Sequence, residues 1–206
     1  MKELLTRYPA LSECKENIEA AVKMLIDCYE DNGKVLLCGN GGSSADCDHI
    51  VGELAKGFLK LRPLSTEVKE KMKANCPQIE DSVLNKLQGG LPAISLPSFT
   101  ALNSAFCNDV DPTLIYAQGV LALSSYNDVL IAMSTSGNSK NVVFAATVAK
   151  SLGIKVIALT GKSGGTLRNL ADICICAPED ETYKIQEFHL PIYHYICAEI
   201  EKHFFN

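Results

Sequence analysis

His49 and Glu53 stand four residues apart, directly after the stretch Gly39-Asn40-Gly41-Gly42-Ser43-Ser44. On a helix opened by that stretch, an imidazole and a carboxylate share one face and can hold one cation together. A second imidazole, His194, lies with Gln186, Glu187 and His189 early in the last apolar-periodic segment. Imidazole nitrogens, one carboxylate and an amide oxygen suit zinc best, with nickel and manganese as alternatives. An ion of that kind serves as a Lewis acid on a carbonyl. Beside it, a carboxylate can lift the weakly acidic proton next to the carbonyl, the step that aldose–ketose interconversion requires. In that reading Glu53 is the base and His194 the partner acid. Gln186 and His194 are separated by about 12 Å of rise along a continuous helix. Either Gln186 precedes the regular helix, or two subunits contribute to one site.

Residues 128 to 144 carry a different chemistry. An apolar run ends in Ser134-Thr135-Ser136-Gly137-Asn138-Ser139 before a helical pattern begins. The hydroxyls of Ser134, Thr135, Ser136 and Ser139, joined by free N–H groups at a helix start, can grip an anion such as a sugar phosphate. The Gly39 to Ser44 stretch is a second strand-loop-helix junction, and two of them indicate a polar small-molecule site.

These loops need rigid elements to aim them. Ile18, Ala21, Val22, Leu25, Ile26 and Tyr29 recur at helical spacing, which predicts an amphipathic helix from about Ser12 to Glu30, ending at Asn32-Gly33. Continuous apolar runs at Val35 to Cys38, Ala93 to Leu96, Val129 to Met133, Val156 to Leu159 and Ile173 to Ala177 read as parallel strands buried on both faces. Helical stretches between them point to a three-layer, doubly wound α/β sandwich with a five-stranded parallel sheet and long terminal helices, the last from about Thr182 to Phe204. Ligands of such folds sit outside the carboxyl ends of the strands. Residues 60 to 92 break the pattern, with many charges, Pro63, Pro77 and a helical stretch from Thr66 to Ala74; they read as an insertion, either a solvated excursion or a lid or subunit contact.

The 206 residues, 47% of them hydrophobic, fit one α/β domain spanning 1–206. A net charge of -5 without a basic block gives no electrostatic reason for nucleic acid or an anionic membrane as a partner. The charged start Met1-Lys2-Glu3 lacks the apolar core of a signal peptide, and a cytoplasmic location is expected. Nine scattered cysteines read as small buried hydrophobes in a reducing compartment. Cys174 and Cys176 alternate along a strand and face the same side.

In order along the chain, Gly39-Asn40-Gly41-Gly42-Ser43, His49-x-x-x-Glu53-Leu54, Asn108-Asp109, Ser134 to Ser139, Leu159-Thr160-Gly161-Lys162 and Ile185-Gln186-Glu187-x-His189-x-x-x-x-His194 resemble the sugar isomerase (SIS) domain, in its phosphoheptose isomerase branch. The resemblance implies the SIS fold, one Zn2+ per subunit on His49, Glu53, Gln186 and His194, and a homotetramer with sites at subunit interfaces. It implies substrate contacts from Asn40, Gly41, Gly42, Ser43, Glu53, Asn108, Asp109, Ser134, Thr135, Ser136, Ser139 and Gln186. The implied reaction converts sedoheptulose 7-phosphate to D-glycero-D-manno-heptose 7-phosphate. Gly52, Gly57 and Tyr183 replace acidic or arginine residues common in the family, near the outer rim of the substrate. An isomerase of another ketose phosphate is therefore one alternative. A non-catalytic SIS protein, associating with the replication initiator DnaA or sensing a sugar phosphate, is the other; Glu53 and His194 favour catalysis.

Overall fold

The computed structural model describes residues 1–205. The chain opens with α1 (Lys2–Arg7), a 3-10 turn at Pro9–Cys14 and α2 (Lys15–Glu30), then enters β1 (Val35–Cys38) and α3 (Gly42–Ala55). The excursion carries α4 (Thr66–Asn75) and α5 (Asp81–Leu84); β2 (Ala93–Ser95), α6 (Thr100–Asp109) and α7 (Ile115–Leu123) follow. The second half is β3 (Val129–Ser134), α8 (Lys140–Ser151), β4 (Lys155–Thr160), α9 (Leu167–Leu170), β5 (Ile173–Cys176) and α10 (Thr182–Phe204). The helix expected from Ser12 starts at Lys15 instead, because Pro9 opens a tighter turn that runs to Cys14.

All five strands pair in parallel in the order β2-β1-β3-β4-β5. Side chains alternate across the sheet. Val35, Leu37, Val129, Ile131, Met133, Ile157, Leu159 and Ile175 face one core with α2, α3 and α10. Leu36, Cys38, Leu130, Ala132, Val156 and Ala158 face another with α7, α8 and α9. Each Val, Leu, Ile or Met side chain buried in these two cores contributes roughly 1.5–3 kcal/mol of transfer free energy, and the central strands are buried on both faces as their unbroken apolar runs require. Since β1 lies between β2 and β3, the chain reverses direction of winding there. That switch point lies between the carboxyl ends of β1 and β3, where ligands of such sheets sit.

Not all cysteines follow the expectation of burial. Cys14, Cys28, Cys38, Cys47 and Cys197 are buried, whereas Cys76 and Cys107 are exposed and Cys174 and Cys176 are half-buried. The exposed pair lies in the excursion and near the end of α6, outside both cores.

The excursion is anchored at its ends. Pro63 pairs with Gln88 in an isolated antiparallel bridge, Gly89 N–H donates to the Arg62 carbonyl at 2.7 Å, and Leu91 N–H to that of Leu54 at 3.0 Å. α4 itself buries no residue. Arg62 is the opposite case, with a side chain sealed from solvent. Its Nε donates to Glu201 Oε1 at 2.8 Å, and its Nη1 and Nη2 donate to the carbonyls of Leu54 and Glu53 at 2.8 and 3.0 Å. Glu201 also accepts from Phe58, Leu59 and Lys60 N–H groups at 2.8, 2.7 and 3.1 Å. Burial alone would raise the Glu201 carboxyl, but these N–H groups and the guanidinium hold it below its ordinary value. One guanidinium thus caps the last turn of α3 and ties it to α10. Among the described residues no helix is long and apolar enough to cross a membrane.

His189 lies fully inside, its Nε2–H donating to the Thr160 carbonyl at 3.1 Å while Nδ1 has no partner. Burial pushes its imidazole down to about 4, outweighing that hydrogen bond. The unfolded chain takes up a proton near pH 6.5 that the folded chain refuses, so this group costs stability as pH falls from 6.5 toward 4, by up to about 1.4 kcal/mol per unit. In urea titrations the wild-type midpoint should fall between pH 7 and pH 5, and His189→Gln should fall less steeply; equal slopes would remove His189 as the cause. Arg62→Met should lower stability at pH 7 by about 3–5 kcal/mol, because it leaves a buried carboxylate without its cation. A loss under about 1 kcal/mol by urea unfolding would mean that the pair does not tie the two helices.

Candidate active site

α3 and α10 lie side by side and run in the same direction. Gly42 meets Gln186, His49 meets Tyr193 and His194, and the carbonyls of Glu53 and Leu54 meet Arg62 with Glu201. Parallel packing brings an imidazole from each helix to one spot. His49 Nε2 is 3.2 Å from Glu53 Oε1 and 3.5 Å from His194 Nε2. The rings of His49 and His194 stand edge to face at 5.0 Å, and Phe58 covers His194 from 5.4 Å.

A residue that the spacing did not single out, Tyr193, orients this group. Tyr193 Oη lies 2.9 Å from His49 Nδ1 and donates to Asp46 Oδ1 at 3.2 Å. Burial, with the nearby Asp46 carboxylate, pushes the Tyr193 phenol up, so it stays protonated and its hydrogen goes to Asp46. Its oxygen then accepts from His49 Nδ1–H, which turns Nε2 toward Glu53 Oε1. Burial, and then the neighbouring His49, hold the His194 imidazole below its ordinary value, so near neutral pH it offers a lone pair. Glu53 Oε2 is buried without any partner. A buried carboxylate oxygen without a donor, next to two imidazoles, is a place where a cation would compensate the charge.

The spacing suits a small divalent ion. Ligands about 2.0–2.1 Å from a tetrahedral zinc stand about 3.3 Å apart, close to the 3.2 and 3.5 Å separations seen around His49. Among the described residues no group of three or more His, Cys, Asp or Glu is assembled as a finished ion cage. Two edges are in place, both radiating from His49. Gln186 is elsewhere: a Cβ on Gly42 would stand 2.6 Å from its Nε2, so the missing side chain at 42 is what lets the amide lie on the glycine loop. It also lies within the unbroken helix Thr182–Phe204. The first of the two expected explanations for its distance from His194, a position before the regular helix, is therefore wrong.

The serine loop lies at the carboxyl end of β3, across the switch point from the glycine loop. Ser134 Oγ is 3.0 Å from Ser139 Oγ and 3.5 Å from Ser136 Oγ, and Asn138 N–H donates to Ser136 Oγ at 3.2 Å. Gly137 has φ +66, and a Cβ there would stand 2.0 Å from the Gly164 carbonyl oxygen. Only glycine lets the loop after β4 press so close. Asn138 Oδ1 accepts from Thr166 N and Oγ1 at 2.9 and 2.8 Å, and Gly161 N–H donates to the Thr135 carbonyl at 2.9 Å. This bracing holds the hydroxyls of Ser134, Ser136 and Ser139 in one arc.

Asn141, in the first turn of α8, ties the two loops together. Its amide exchanges hydrogen bonds with that of Asn40 at 2.9 and 2.8 Å, and Tyr116 Oη fixes Gly39 O at 2.7 Å. A lone asparagine after the serine run carried no signal that sequence spacing could detect. Ser43 is buried in the first turn of α3. Asn108 and Asp109 lie exposed at the end of α6, bonded to each other at 2.8 Å, and no hydrogen bond among the described residues joins them to either loop.

The parallel sheet with its switch point, the hydroxyl arc after β3 and the imidazole–carboxylate group mark a doubly wound α/β protein with two polar clusters. Two SIS-domain profiles match, over residues 2–89 and 101–195. The chain is 38% identical over 209 residues to the phosphoheptose isomerase of Helicobacter pylori (strain Shi470), covering all of this chain and 95% of that one. Solved phosphoheptose isomerases from Neisseria gonorrhoeae and Francisella tularensis superpose with TM-scores of 0.73 and 0.72 at 30% identity. They cover 93% and 98% of this chain, and 92% and 97% of theirs. The chain belongs to the phosphoheptose isomerase family of SIS-domain proteins.

Tyr193→Phe removes the atom that fixes the His49 tautomer and leaves the ring packing intact. Zn2+ affinity, measured by competition with a chromophoric chelator, should fall about ten- to a hundredfold with little change in Tm. Unchanged affinity would show that Tyr193 is only a core residue.

Proposed function

We propose that this chain is an aldose–ketose isomerase that converts sedoheptulose 7-phosphate to D-glycero-D-manno-heptose 7-phosphate. The observation that carries the reading is the buried, unpartnered Oε2 of Glu53 beside two imidazoles. Full-length similarity to phosphoheptose isomerases supports it.

The serine arc takes the phosphoryl group through the hydroxyls of Ser134, Ser136 and Ser139 together with Thr135. Asn40, Gly41, Gly42 and Ser43 line the opposite wall. Glu53 lifts a proton from C1 of the ketose and returns it to C2, while His194 moves the hydroxyl proton from O1 to O2. A neutral imidazole suits that shuttle, since it both accepts and donates near pH 7. His49, Glu53 and His194 would hold a Zn2+ ion, which would supply Lewis-acid polarisation of the carbonyl.

Gln186, which lies on the glycine loop, and the His49–Glu53–His194 group reach one site from different subunits of a homotetramer, as do the contacts from Asn108 and Asp109. What supports this is the about 12 Å of helix between Gln186 and His194, together with the outward placement of Asn108 and Asp109. A groove of about 550 Å³ lined by Leu4, Tyr8, Phe58, Leu59, Leu190 and His194 adds exposed apolar surface next to the site. A cytoplasmic location follows from the sugar-phosphate substrate.

Glu53→Gln should lower kcat by at least about 10³-fold while leaving the fold intact, because it removes the base but keeps the serine arc. Coupled-assay turnover near wild type would move the base elsewhere. Ser136→Ala removes one phosphate donor and should raise KM several-fold with kcat nearly unchanged; the reverse pattern would contradict its assignment. If a panel of ketose phosphates, with and without Zn2+, gives no aldose at all, the chain is a binding module rather than an enzyme.

A further inference from the structure

Cys174 and Cys176 lie on β5, the outermost strand of the sheet, and both are half-buried. Their sulfurs are 3.6 Å apart on one face, and the Thr160 hydroxyl lies 3.5 Å from Cys176 Sγ and 3.7 Å from Cys174 Sγ. We propose that Cys174 and Cys176 form a reversible oxidation site, a dithiol that a hydroperoxide converts to an intramolecular disulfide on the sheet edge.

The geometry sets both the feasibility and the lability of that bond. A rise of roughly 3.3 Å per residue puts the two Cα atoms about 6.6 Å apart, at the outer end of the span of about 4.4–6.8 Å that a disulfide accepts. The bridge therefore closes with a small local shortening, which an edge strand allows because one of its sides pairs with nothing in the sheet. A bridge formed under such strain is oxidising and easily reduced, as reversible ones are.

The chemistry is divided between the two thiols. The Cys176 thiol is held below its ordinary value by the hydrogen bond from Cys174, against burial, with Thr160 and the charge of Arg168 adding to it; the same contact and burial raise Cys174. Cys176 thiolate attacks the terminal oxygen of the hydroperoxide. A sulfur–oxygen bond forms, the oxygen–oxygen bond breaks, and the released alkoxide takes a proton to leave as alcohol. Cys174 sulfur then attacks the Cys176 sulfenic acid, forming the disulfide and expelling hydroxide, which leaves as water with the Cys174 proton. Two thiols and one hydroperoxide give one disulfide, one alcohol and one water.

The test uses the reduced full-length chain at pH 6 with a slight molar excess of hydrogen peroxide, followed by alkylation and peptide mapping. The expected result is a Cys174–Cys176 link within one peptide, with the loss of two hydrogens. It should form about tenfold faster than Cys76 or Cys107 is oxidised and revert with dithiothreitol. In Cys174→Ser, Cys176 should stop at a sulfenic acid that dimedone traps. If Cys174 and Cys176 remain alkylatable in the wild-type chain while Cys76 and Cys107 are consumed, the proposal is wrong. The wild-type map decides the matter even if the variant fails to fold, and it does not depend on which sugar the enzyme uses.

Discussion

A single buried ion pair, Arg62 with Glu201, sets the register of the whole functional face. The guanidinium reaches the carbonyls that end α3, and the carboxylate belongs to α10 two turns beyond His194. Two helices that contribute one imidazole each cannot slide relative to one another while this link holds. Such a pair adds little net stability compared with apolar packing, but breaking it strands a charge. Its value lies in specifying one alignment. The N–H groups of Phe58, Leu59 and Lys60 on Glu201 extend the same clamp to the turn that puts Phe58 over His194.

Given that alignment, the site follows from electrostatics. The Asp46–Tyr193–His49 chain ties Nδ1 of the imidazole on the buried side, so Nε2 faces Glu53 and His194. The second oxygen of that carboxylate is buried without a donor, an arrangement that a cation or a transferred proton relieves. The serine arc lies across the switch point and carries no formal charge of its own, in keeping with a protein of net charge -5. It offers oriented hydroxyls and N–H groups rather than basic side chains. In the proposed function, phosphate capture and proton transfer fall to different elements, one on the β3–α8 loop and one on the α3–α10 pair.

Much of this was legible from residue spacing. The strand from Val35 to Cys38 and the helix from Thr182 to Phe204 match their expected bounds, because continuous apolar runs and long 3.6-residue periodicity are strong local signals. His49, Glu53 and His194 were identifiable as candidates by type and position. Arg62 was not: it sat in a charged stretch and read as solvated, since its partner lies 139 residues away. Tyr193 was masked by its apolar neighbours, and Asn141 by the ordinary polarity of a helix start. The strand order, which creates the switch point between β1 and β3, is a property of long-range pairing and leaves no trace in local pattern. Pro9 shifted the start of α2 for the opposite reason, a local preference overriding a periodicity that extended past it.

The central claim is that Glu53 transfers a proton between two adjacent carbons of a bound phosphosugar. Running the isomerisation in D2O and reading the product by NMR tests it most directly. The account predicts solvent deuterium at C2 of the aldose, since the abstracted proton resides on a carboxylate that exchanges with water. A product that retains only the original hydrogen at C2, even when turnover is slowed to allow exchange, would contradict it.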